Sequence, residues 1–355
     1  MGQPYAGTSK AKPYAGTSKV KAIYRGTTKI WSNGGPILLV NDTNKLYGIE
    51  STDNLNAGVE KSTIDSDATS RITLFAIRKS DGRIVAVAST SSGTTIFTSK
   101  VNDFTWIRAD KFYTSITGDY FQTSCPTSVS GIYVLNNKFY AIGTTNFIMQ
   151  SDDGVSWRTV NVQGSITEGR IYSICFHKGK YFSTRQSPYL KYSLSPDNWS
   201  SMGDTEQTVS SCDTLRSNGN YLFAFGNQGW GSMGRSLDGV TGWTSTHIDR
   251  LASSVPLVET YEKNIAIGYQ SCGVIAYSKD EGVTWGYRVF PEISTNQYNC
   301  RGITCVGDTF VFAYHSAHVA SPQYLIKTND FINWTFVDVT ATVNRVWNIK
   351  NVEGE

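Results

Sequence analysis

The chain has 355 residues, enough for two average domains or one large all-β domain. Charged residues make up 17% of it and the formal net charge is +3, which argues against a nucleic-acid-binding protein. It is rich in glycine and aromatic residues, with 32 Gly, 20 Tyr, 16 Phe and 9 Trp. Aromatic residues favour strands and glycine favours turns, so the composition predicts an all-β fold.

The first predicted element is a repeated segment near the amino terminus. It contains three copies of one phrase, PYAGTSKAK, PYAGTSKVK and AIYRGTTKIW, of which the third alternates like a strand, turn and strand. We predict that its recurring residues contact a partner: Tyr5, Tyr14, Tyr24, Gly7, Gly16, Gly26 and Trp31. Residues 1–35 alone cannot bury a core. We therefore expect an extended N-terminal arm, in which repeated weak contacts act together.

A second repeat runs through residues 36–355. It is a phrase in which an Asp is followed by a Trp, replaced by Leu55 in the first copy, and the Asp positions are 50, 50, 44, 41, 42 and 50 residues apart. The residues are Asp53, Asp103, Asp153, Asp197, Asp238, Asp280, Asp330, Trp106, Trp157, Trp199, Trp243, Trp285 and Trp334. Four short strands surround each phrase. The period predicts a seven-bladed β-propeller of four-stranded antiparallel blades.

The Asp phrase is predicted to be structural. Its carboxylate can accept hydrogen bonds from backbone N–H groups of the turn between the third and fourth strands. Glycine at the turn can take a positive φ, and the Trp can fasten the turn to the sheet. The fullest copy, SKDEGVTW at 278–285, resembles the Asp-box (BNR) repeat of sialidase-like propellers. The resemblance implies the fold over residues 36–350, and it leaves the activity open because such propellers include glycosidases, receptors and scaffolds.

The chain ends with a segment that the last unit does not need. Residues 343–350 match the innermost strands of other units, and the first unit lacks such a strand. We expect the C-terminal strand to complete the first blade and close the ring. The same alignment places Arg71, Arg170, Arg301 and Arg345 at one mouth of the central channel. They are either solvated strand-entry residues or a site for an anion, a glycan or an acidic partner.

Motifs that carry chemistry are missing from the sequence. It has no R-I-P motif of the sialidases, no G-x-S-x-G elbow and no phosphate loop. The cluster HSAH at 315–318 lacks further metal ligands nearby, and the six cysteines form no C-x-x-C pair, which favours buried free thiols. We therefore predict no enzyme, no catalytic residue, no metal site and no cofactor. The loops 225–234, 290–299 and 315–324 are rich in aromatic and amide groups that suit sugar or protein contact.

The arm phrase AIYRGTTKIW also resembles a motif near the start of tailed-bacteriophage virion proteins, and the blade phrases resemble phage tail and appendage propellers. This resemblance implies a non-enzymatic virion structural protein, synthesised in the host cytoplasm. Its arm would attach to tail, collar, baseplate or capsid proteins, and its propeller would serve decoration or binding of a host-surface glycan or receptor. Membrane insertion is not expected, because no signal peptide or long apolar run occurs.

Two alternatives stay open. One is a glycosidase that acts on host surface polysaccharide, since a pair of carboxylates contributed by two blades leaves no motif in the sequence. The other is an intracellular propeller that serves as a scaffold or assembly factor.

Overall fold

The structure is a computed structural model, and its description covers a defined set of residues. These are 14–15, 18–19, 22–25, 28–32, 38–42, 45–49, 55, 58–64, 71–90, 93–101, 103–113, 121–125, 128–143, 147–162, 171–185, 190–195, 198–199, 203–205, 212–226, 232–248, 257–269, 273–293, 298–316, 322–341, 346 and 348–351. No helix in these ranges has the length and apolar character needed to cross a membrane.

The arm contains two small hairpins. β1 (Tyr14–Ala15) pairs antiparallel with β2 (Ser18–Lys19), and β3 (Ala22–Arg25) pairs antiparallel with β4 (Thr28–Ser32). The third copy of the phrase therefore has the predicted pair of strands, and the second copy has one as well. The first copy, with Tyr5 and Gly7, lies outside the described residues, as do Gly16 and Gly26.

The strands that follow form successive antiparallel sheets, which we number I to VII along the chain. Sheet I contains β5 (Leu38–Asp42), β6 (Lys45–Ile49) and β7 (Val59–Thr63). Sheet II contains β8 (Arg71–Arg78), β9 (Arg83–Thr90), β10 (Gly93–Lys100) and β11 (Ile107–Arg108). Sheet III contains β12 (Lys111–Tyr113), β13 (Phe121–Gln122), β14 (Val129–Leu135), β15 (Lys138–Gly143), β16 (Ile148–Ser151) and β17 (Ser156–Thr159).

The second half of the chain repeats this arrangement. β18 (Asn161–Val162) precedes sheet IV, which contains β19 (Ile171–His177), β20 (Lys180–Arg185), β21 (Leu190–Ser193) and β23 (Gly203–Asp204), with β22 (Asn198–Trp199) between the last two. Sheet V contains β24 (Cys212–Ser217), β25 (Leu222–Gly226), β26 (Ser232–Ser236) and β27 (Thr244–His247). Sheet VI contains β28 (Leu257–Tyr261), β29 (Asn264–Gly268), β30 (Val274–Ser278) and β31 (Gly286–Val289). After a 3₁₀ turn at Pro291–Ile293, sheet VII contains β32 (Tyr298–Val306), β33 (Thr309–Ser316), β34 (Tyr324–Thr328) and β35 (Thr335–Asp338).

The last strand, β36 (Asn348–Asn351), belongs to sheet I. It pairs antiparallel with β5, with Ile349 opposite Val40. Ile349 is fully buried against side chains of sheet VII, including Val311 and Leu325. The predicted C-terminal strand is therefore confirmed as the fourth strand of the first unit, and its described residues are Asn348–Asn351. Its pairing leaves no open edge on β5 and joins both ends of the folded region.

The prediction of seven four-stranded blades needs correction. Among the described strands, six of the numbered sheets are four-stranded, whereas sheet III has six strands in the order β13-β12-β17-β16-β15-β14. β12 pairs in parallel with β17, with Phe112 opposite Trp157. The chain between β11 and β14 is long enough to fold back along the outer edge of sheet III. The spacing of 50 residues from Asp103 to Asp153 does not reveal this addition, because two other spacings of the Asp phrase are also 50 residues.

The core lies between neighbouring sheets. The middle strand β9 is buried on both faces, because Val85 and Val87 pack against sheet III while Ile84 and Ala86 pack within the cluster shared with sheet I. Such strands form continuous apolar runs instead of alternating ones. Antiparallel four-stranded sheets packed face to face in chain order form a β-propeller.

Candidate functional site in the central channel

The Asp phrases form tight turns between the third and fourth strands. Asp153 Oδ1 accepts hydrogen bonds from the N–H groups of Val155 and Ser156 at 2.9 and 2.8 Å. The same arrangement occurs at Asp238 and Asp330, and in the longer turn of sheet VI Asp280 Oδ1 accepts a hydrogen bond from the N–H group of Thr284. Hydrogen bonds from the N–H groups of Asn333 and Ile332 lower the pKa of Asp330 to about 2. These carboxylates are occupied by their own turns. Asp53 and Asp197 lie outside the described residues.

The residue after the Asp packs on the preceding sheet. Gly154 and Gly239 have φ of +74° and +75°, and a Cβ at these positions would lie 2.7 Å from Thr98 Oγ1 and 2.4 Å from Phe182 Cζ. Phe331, at the equivalent position in sheet VII, has a φ of 57° and stacks on Tyr277 with ring centroids 4.7 Å apart. The turn therefore fastens one sheet to the sheet before it.

The tryptophans differ more than the sequence indicates. Trp157 is fully buried and its Nε1 donates a hydrogen bond to Gly154 O at 3.0 Å. The side chains of Trp106, Trp243, Trp285 and Trp334 are half-buried. Trp199 lies in β22, which pairs in parallel with β18, so in sheet IV it does not directly precede the fourth strand.

A second set of contacts between neighbouring sheets was not predicted. Arg78 bonds to Asp81 within sheet II and donates from Nη1 to Asp152 O of sheet III at 2.6 Å. The hydrogen bond from Arg78 lowers the pKa of Asp81 to about 2. His177 links sheets IV and V, with Nδ1 2.8 Å from Ser217 Oγ and Nε2 2.9 Å from Leu237 O. Burial lowers the pKa of His177. No motif marks these residues, because their partners in the neighbouring sheet lie 40 to 74 positions away.

The innermost strands of the sheets enclose a channel of about 380 Å³. Its wall includes residues from seven strands: Thr73, Leu74, Phe75, Ser130, Gly131, Ile132, Tyr133, Tyr172, Ser173, Asp213, Thr214, Arg216, Leu257, Val258, Arg301, Gly302, Ile303, Asn348 and Lys350. Its lining draws charged and hydroxyl groups from several different sheets. This channel is the candidate functional site.

β-Bulges place polar residues on the channel wall. The register of the innermost strand shifts near Thr73, Ser130, Ser173, Asp213 and Arg301. A bulge redirects a side chain that strict alternation would send to the opposite face. Five strands thus carry a polar residue into the channel at the same level of the fold.

Of the four arginines predicted at the channel mouth, one has a described side chain. Arg301 lines the channel, but it lies at the bulge inside β32 and not at the strand entry, which corrects the predicted position. Arg71 begins β8, as predicted, and its side chain is outside the description. Arg170 and Arg345 also lie outside the described residues.

Two channel cations, Arg216 and Lys350, were missed. Arg216 donates from Nε to Val258 O at 2.6 Å and from Nη1 to Leu215 O at 2.9 Å. Lys350 has no hydrogen-bond or ion-pair partner among the residues that the structure describes. Burial lowers the pKa of Lys350, and the nearby charge of Arg216 lowers it further. Both residues lie near the ends of their strands, away from the strand entries where the arginines were predicted.

The remaining predictions concern the cysteines, a metal site and three loops. The five described cysteines are free thiols, four of them buried, as predicted: Cys125, Cys175, Cys212, Cys300 and Cys305. Across the described ranges, no three His, Cys, Asp or Glu residues lie close enough to hold a metal ion. His318 and the central parts of the loops 225–234, 290–299 and 315–324 lie outside those ranges.

Comparisons with known proteins identify the fold only. No protein-family model matches the sequence, and no curated protein matches it significantly. The solved structure of YCF48 from Cyanidioschyzon merolae has a TM-score of 0.52 at 12% identity, covering 86% of this chain and 92% of its own. YCF48 bound to a D1 peptide has a TM-score of 0.53 at 14% identity (78% and 85%), and the WD40 repeats of RRP9 have 0.52 at 13% (81% and 85%). The chain is similar to these proteins in being a β-propeller.

Proposed function

We propose that this chain is a non-enzymatic structural protein of a bacteriophage virion. In this proposal the arm, residues 1–35, anchors it to tail, collar, baseplate or capsid proteins after synthesis in the host cytoplasm. The propeller is displayed outward, for decoration or for binding a host-surface glycan or receptor. The Asp turns are Asp-box repeats, and β14 to β17 of sheet III act as the seventh blade of the ring that β36 closes.

The observation that carries the proposal is a repeated strand register in the arm. Tyr14 pairs with Lys19 in the first described hairpin, and Tyr24 pairs with Lys29 in the second. The second pair lies ten positions after the first in the sequence, so the sequence repeat coincides with a structural repeat. Tandem copies of one small unit support multivalent attachment, because several weak contacts on one tether add through effective concentration.

A role in protein contact has support from fold neighbours. One solved propeller of similar fold is bound to a peptide, and another is a set of WD40 repeats. At 14% identity and below, this likeness supports an interaction role only as part of the proposal. Phage origin rests on the resemblance of the arm and blade phrases to virion proteins.

The glycosidase ranks second. Hydrolysis of a glycoside usually needs two carboxylates about 5–10 Å apart. Among the channel-lining residues that the structure describes, Asp213 is the one carboxylate. A scaffold or assembly factor inside the cell would use the same fold without particle attachment.

Deletion of residues 1–35 tests the proposal. We expect the shortened protein to fold with an unchanged unfolding temperature and to be missing from purified particles of the phage that encodes it. A full-length control carrying Ile107→Ala, at an exposed position of the propeller, should be retained like the wild type. Retention of the deleted protein on particles, or a free full-length protein in lysates, would contradict attachment through the arm. Release of reducing sugar from host polysaccharide would favour the glycosidase.

A further inference from the structure

The contact between sheets IV and V is built like the contact between sheets II and III. In both, the last residue of the innermost strand bonds to the backbone oxygen of the residue that precedes the Asp of the next sheet's turn. Arg78 donates to Asp152 O in the first case, and His177 bonds to Leu237 O in the second. A residue that is always charged in one contact is therefore replaced by a residue that titrates near neutral pH in the other.

The two contacts differ in the charges beside this residue. In the turn after β8, Asp81 bonds to the guanidinium of Arg78 at 2.8 Å and balances its charge. The turn after β19 has the sequence HKGK at 177–180, which contains two lysines and no acidic residue. A proton on the histidine would therefore add positive charge to a turn that is already positive.

One of these lysines shares an acceptor with the histidine. Leu237 O lies 2.9 Å from His177 Nε2 and also accepts a hydrogen bond from Lys178 Nζ at 2.8 Å. With the ring neutral, the oxygen binds one cation and one uncharged donor. With the ring protonated, two cations would converge on the same oxygen, and like charges this close repel each other.

The hydrogen bonds of the buried ring fit its neutral form. Leu237 O can only accept, so Nε2 of His177 carries the proton and Nδ1 accepts from the Ser217 hydroxyl at 2.8 Å. Ser217 Oγ in turn accepts from the N–H group of Gly219 at 3.1 Å. A second ring proton, on Nδ1, would force the Ser217 hydroxyl to turn its own proton away from the ring.

The surroundings of the ring set the direction of its pH dependence. Burial lowers the pKa of His177 below its ordinary value of 6.5, and Lys178 and Lys180 lower it further, against the bond to Leu237 O and the charge of Asp238. The contact is therefore strongest above pH 6.5, where the ring is neutral in the folded and the unfolded protein. Its contribution is lost as pH falls from 6.5 towards the pKa of the folded state.

We propose that His177 makes the contact between sheets IV and V acid-sensitive, so that protonation of its ring releases the Asp turn of sheet V from sheet IV. The contact between sheets II and III, built on Arg78, holds under the same conditions. This property of the propeller does not depend on attachment through the arm.

Hydrogen exchange of the full chain, measured by mass spectrometry from about pH 8 to about pH 5, tests the proposal. After division by the intrinsic exchange rate at each pH, exchange in the turn 236–241 of sheet V should rise severalfold towards the acid end. The turn 151–156 of sheet III is the internal reference. Its protection should stay constant, because Arg78 and Asp81 keep their charges throughout this range.

Two matched histidine variants isolate the effect. His177→Gln can still donate from its amide to Leu237 O but does not titrate, so protection of the turn should become independent of pH. His247→Gln changes an exposed histidine on β27 of the same sheet pair and should behave like the wild type. A purely structural role for His177 would weaken the contact equally at every pH.

Lys178→Met is an independent variant, which also serves if His177→Gln does not fold. It removes the cation that shares Leu237 O, so the acid-induced rise in exchange should move to lower pH. The proposal would be overturned by an unchanged rise in Lys178→Met, by the same pH dependence in the wild type and His177→Gln, or by an equal rise in the turn of sheet III.

Discussion

Sheets III and VI contain the same meander and the same Asp turn, yet their outer edges differ. In sheet III, β12 covers the edge strand β17, and Trp157 is fully buried with its indole N–H bonded to Gly154 O. In sheet VI, β31 is the outermost strand, and Trp285 is half-buried. The indole N–H of Trp285 has no hydrogen-bond partner within the described structure.

The difference shows that the same Asp phrase can stabilise its sheet to two different extents. Burying a Trp removes a large apolar surface from water, and the gain grows with the fraction that is covered. An unbonded buried N–H reduces that gain. The connection before sheet III supplies the covering strand, whereas the shorter connection before sheet VI, from β27 to β28, adds no described strand, and that sheet ends at β31. The context of the repeat, more than its sequence, decides how strongly it fastens its sheet.

The largest expected effect separates the two tryptophans. Trp157→Ala should lower the free energy of unfolding by about 3–5 kcal/mol, as large core truncations do, because the cavity is closed by β12. Trp285→Ala should cost about 1–2 kcal/mol, since part of the ring is already in water. Urea unfolding followed by fluorescence measures both values.

Phenylalanine provides the matched control for the tryptophan pair. Trp157→Phe loses the bond to Gly154 O and should remain destabilising by about 1 kcal/mol. Trp285→Phe removes an unbonded N–H and should be close to neutral. Equal losses at the two positions would show that the covering strand adds nothing.

Glycines in the two Asp turns should give the next largest difference. Gly154→Ala forces a Cβ at positive φ to within 2.7 Å of Thr98 Oγ1 and 2.8 Å of Val85 Cγ2, so we expect about 2–4 kcal/mol. Gly282→Ala meets the flexible end of Met233, which can move, and should cost about 1–2 kcal/mol.

Gly219→Ala isolates the backbone contribution. Its φ is +85° and nothing lies within 4 Å of the added Cβ, so it should cost about 1–2 kcal/mol from conformation alone. Thermal unfolding of the three variants ranks them. A Gly154→Ala protein as stable as Gly219→Ala would mean that sheets II and III are not tightly packed at this turn.

The smallest expected effect concerns acid stability at the contact between sheets II and III. The folded pKa of Asp81 is about 2, below its ordinary value of 3.8, because Arg78 bonds to it. A depressed carboxyl pKa stabilises the fold above the unfolded pKa, and this contribution is lost as pH falls from about 4 to about 2. Asp81→Asn should remove that part of the pH dependence, by less than about 1 kcal/mol because solvent screens the partly exposed pair.

Unfolding temperatures measured from pH 5 to about 2 test the effect. Asp308→Asn, at an exposed turn of sheet VII, is the control and should leave the pH profile unchanged. A profile for Asp81→Asn identical to that of the wild type would show that Arg78 holds sheet III through its backbone bonds alone.

Much of the local structure follows directly from the sequence. The Asp phrase specifies its own turn, because Ser, Asp and Gly at fixed spacing satisfy the backbone N–H groups of that turn. The similarity of 343–350 to innermost strands predicted the closing strand correctly, since apolar residues of that pattern need a sheet to cover them. These features are local or repeated, so a single sequence shows them.

The composition of the channel could not be predicted in the same way. The bulges at Asp213 and Arg301 interrupt the period of two on which strand faces are assigned, so alternation misplaces the side chains near them. Lys350 and Arg216 are 134 positions apart in the sequence and meet only because β36 returns to sheet I. Which charged side chains are neighbours in the channel therefore depends on how β36 closes the ring.

The sequence by itself determined the all-β class, the repeated units, the Asp turns and the closing strand, because each depends on residues that are close together or recur at a fixed period. Only the tertiary structure decided that β12 covers sheet III, that Arg78 and His177 link neighbouring sheets, and that three cations share one channel. Those outcomes depend on contacts between distant segments, whose geometry is set by packing and not by any local pattern.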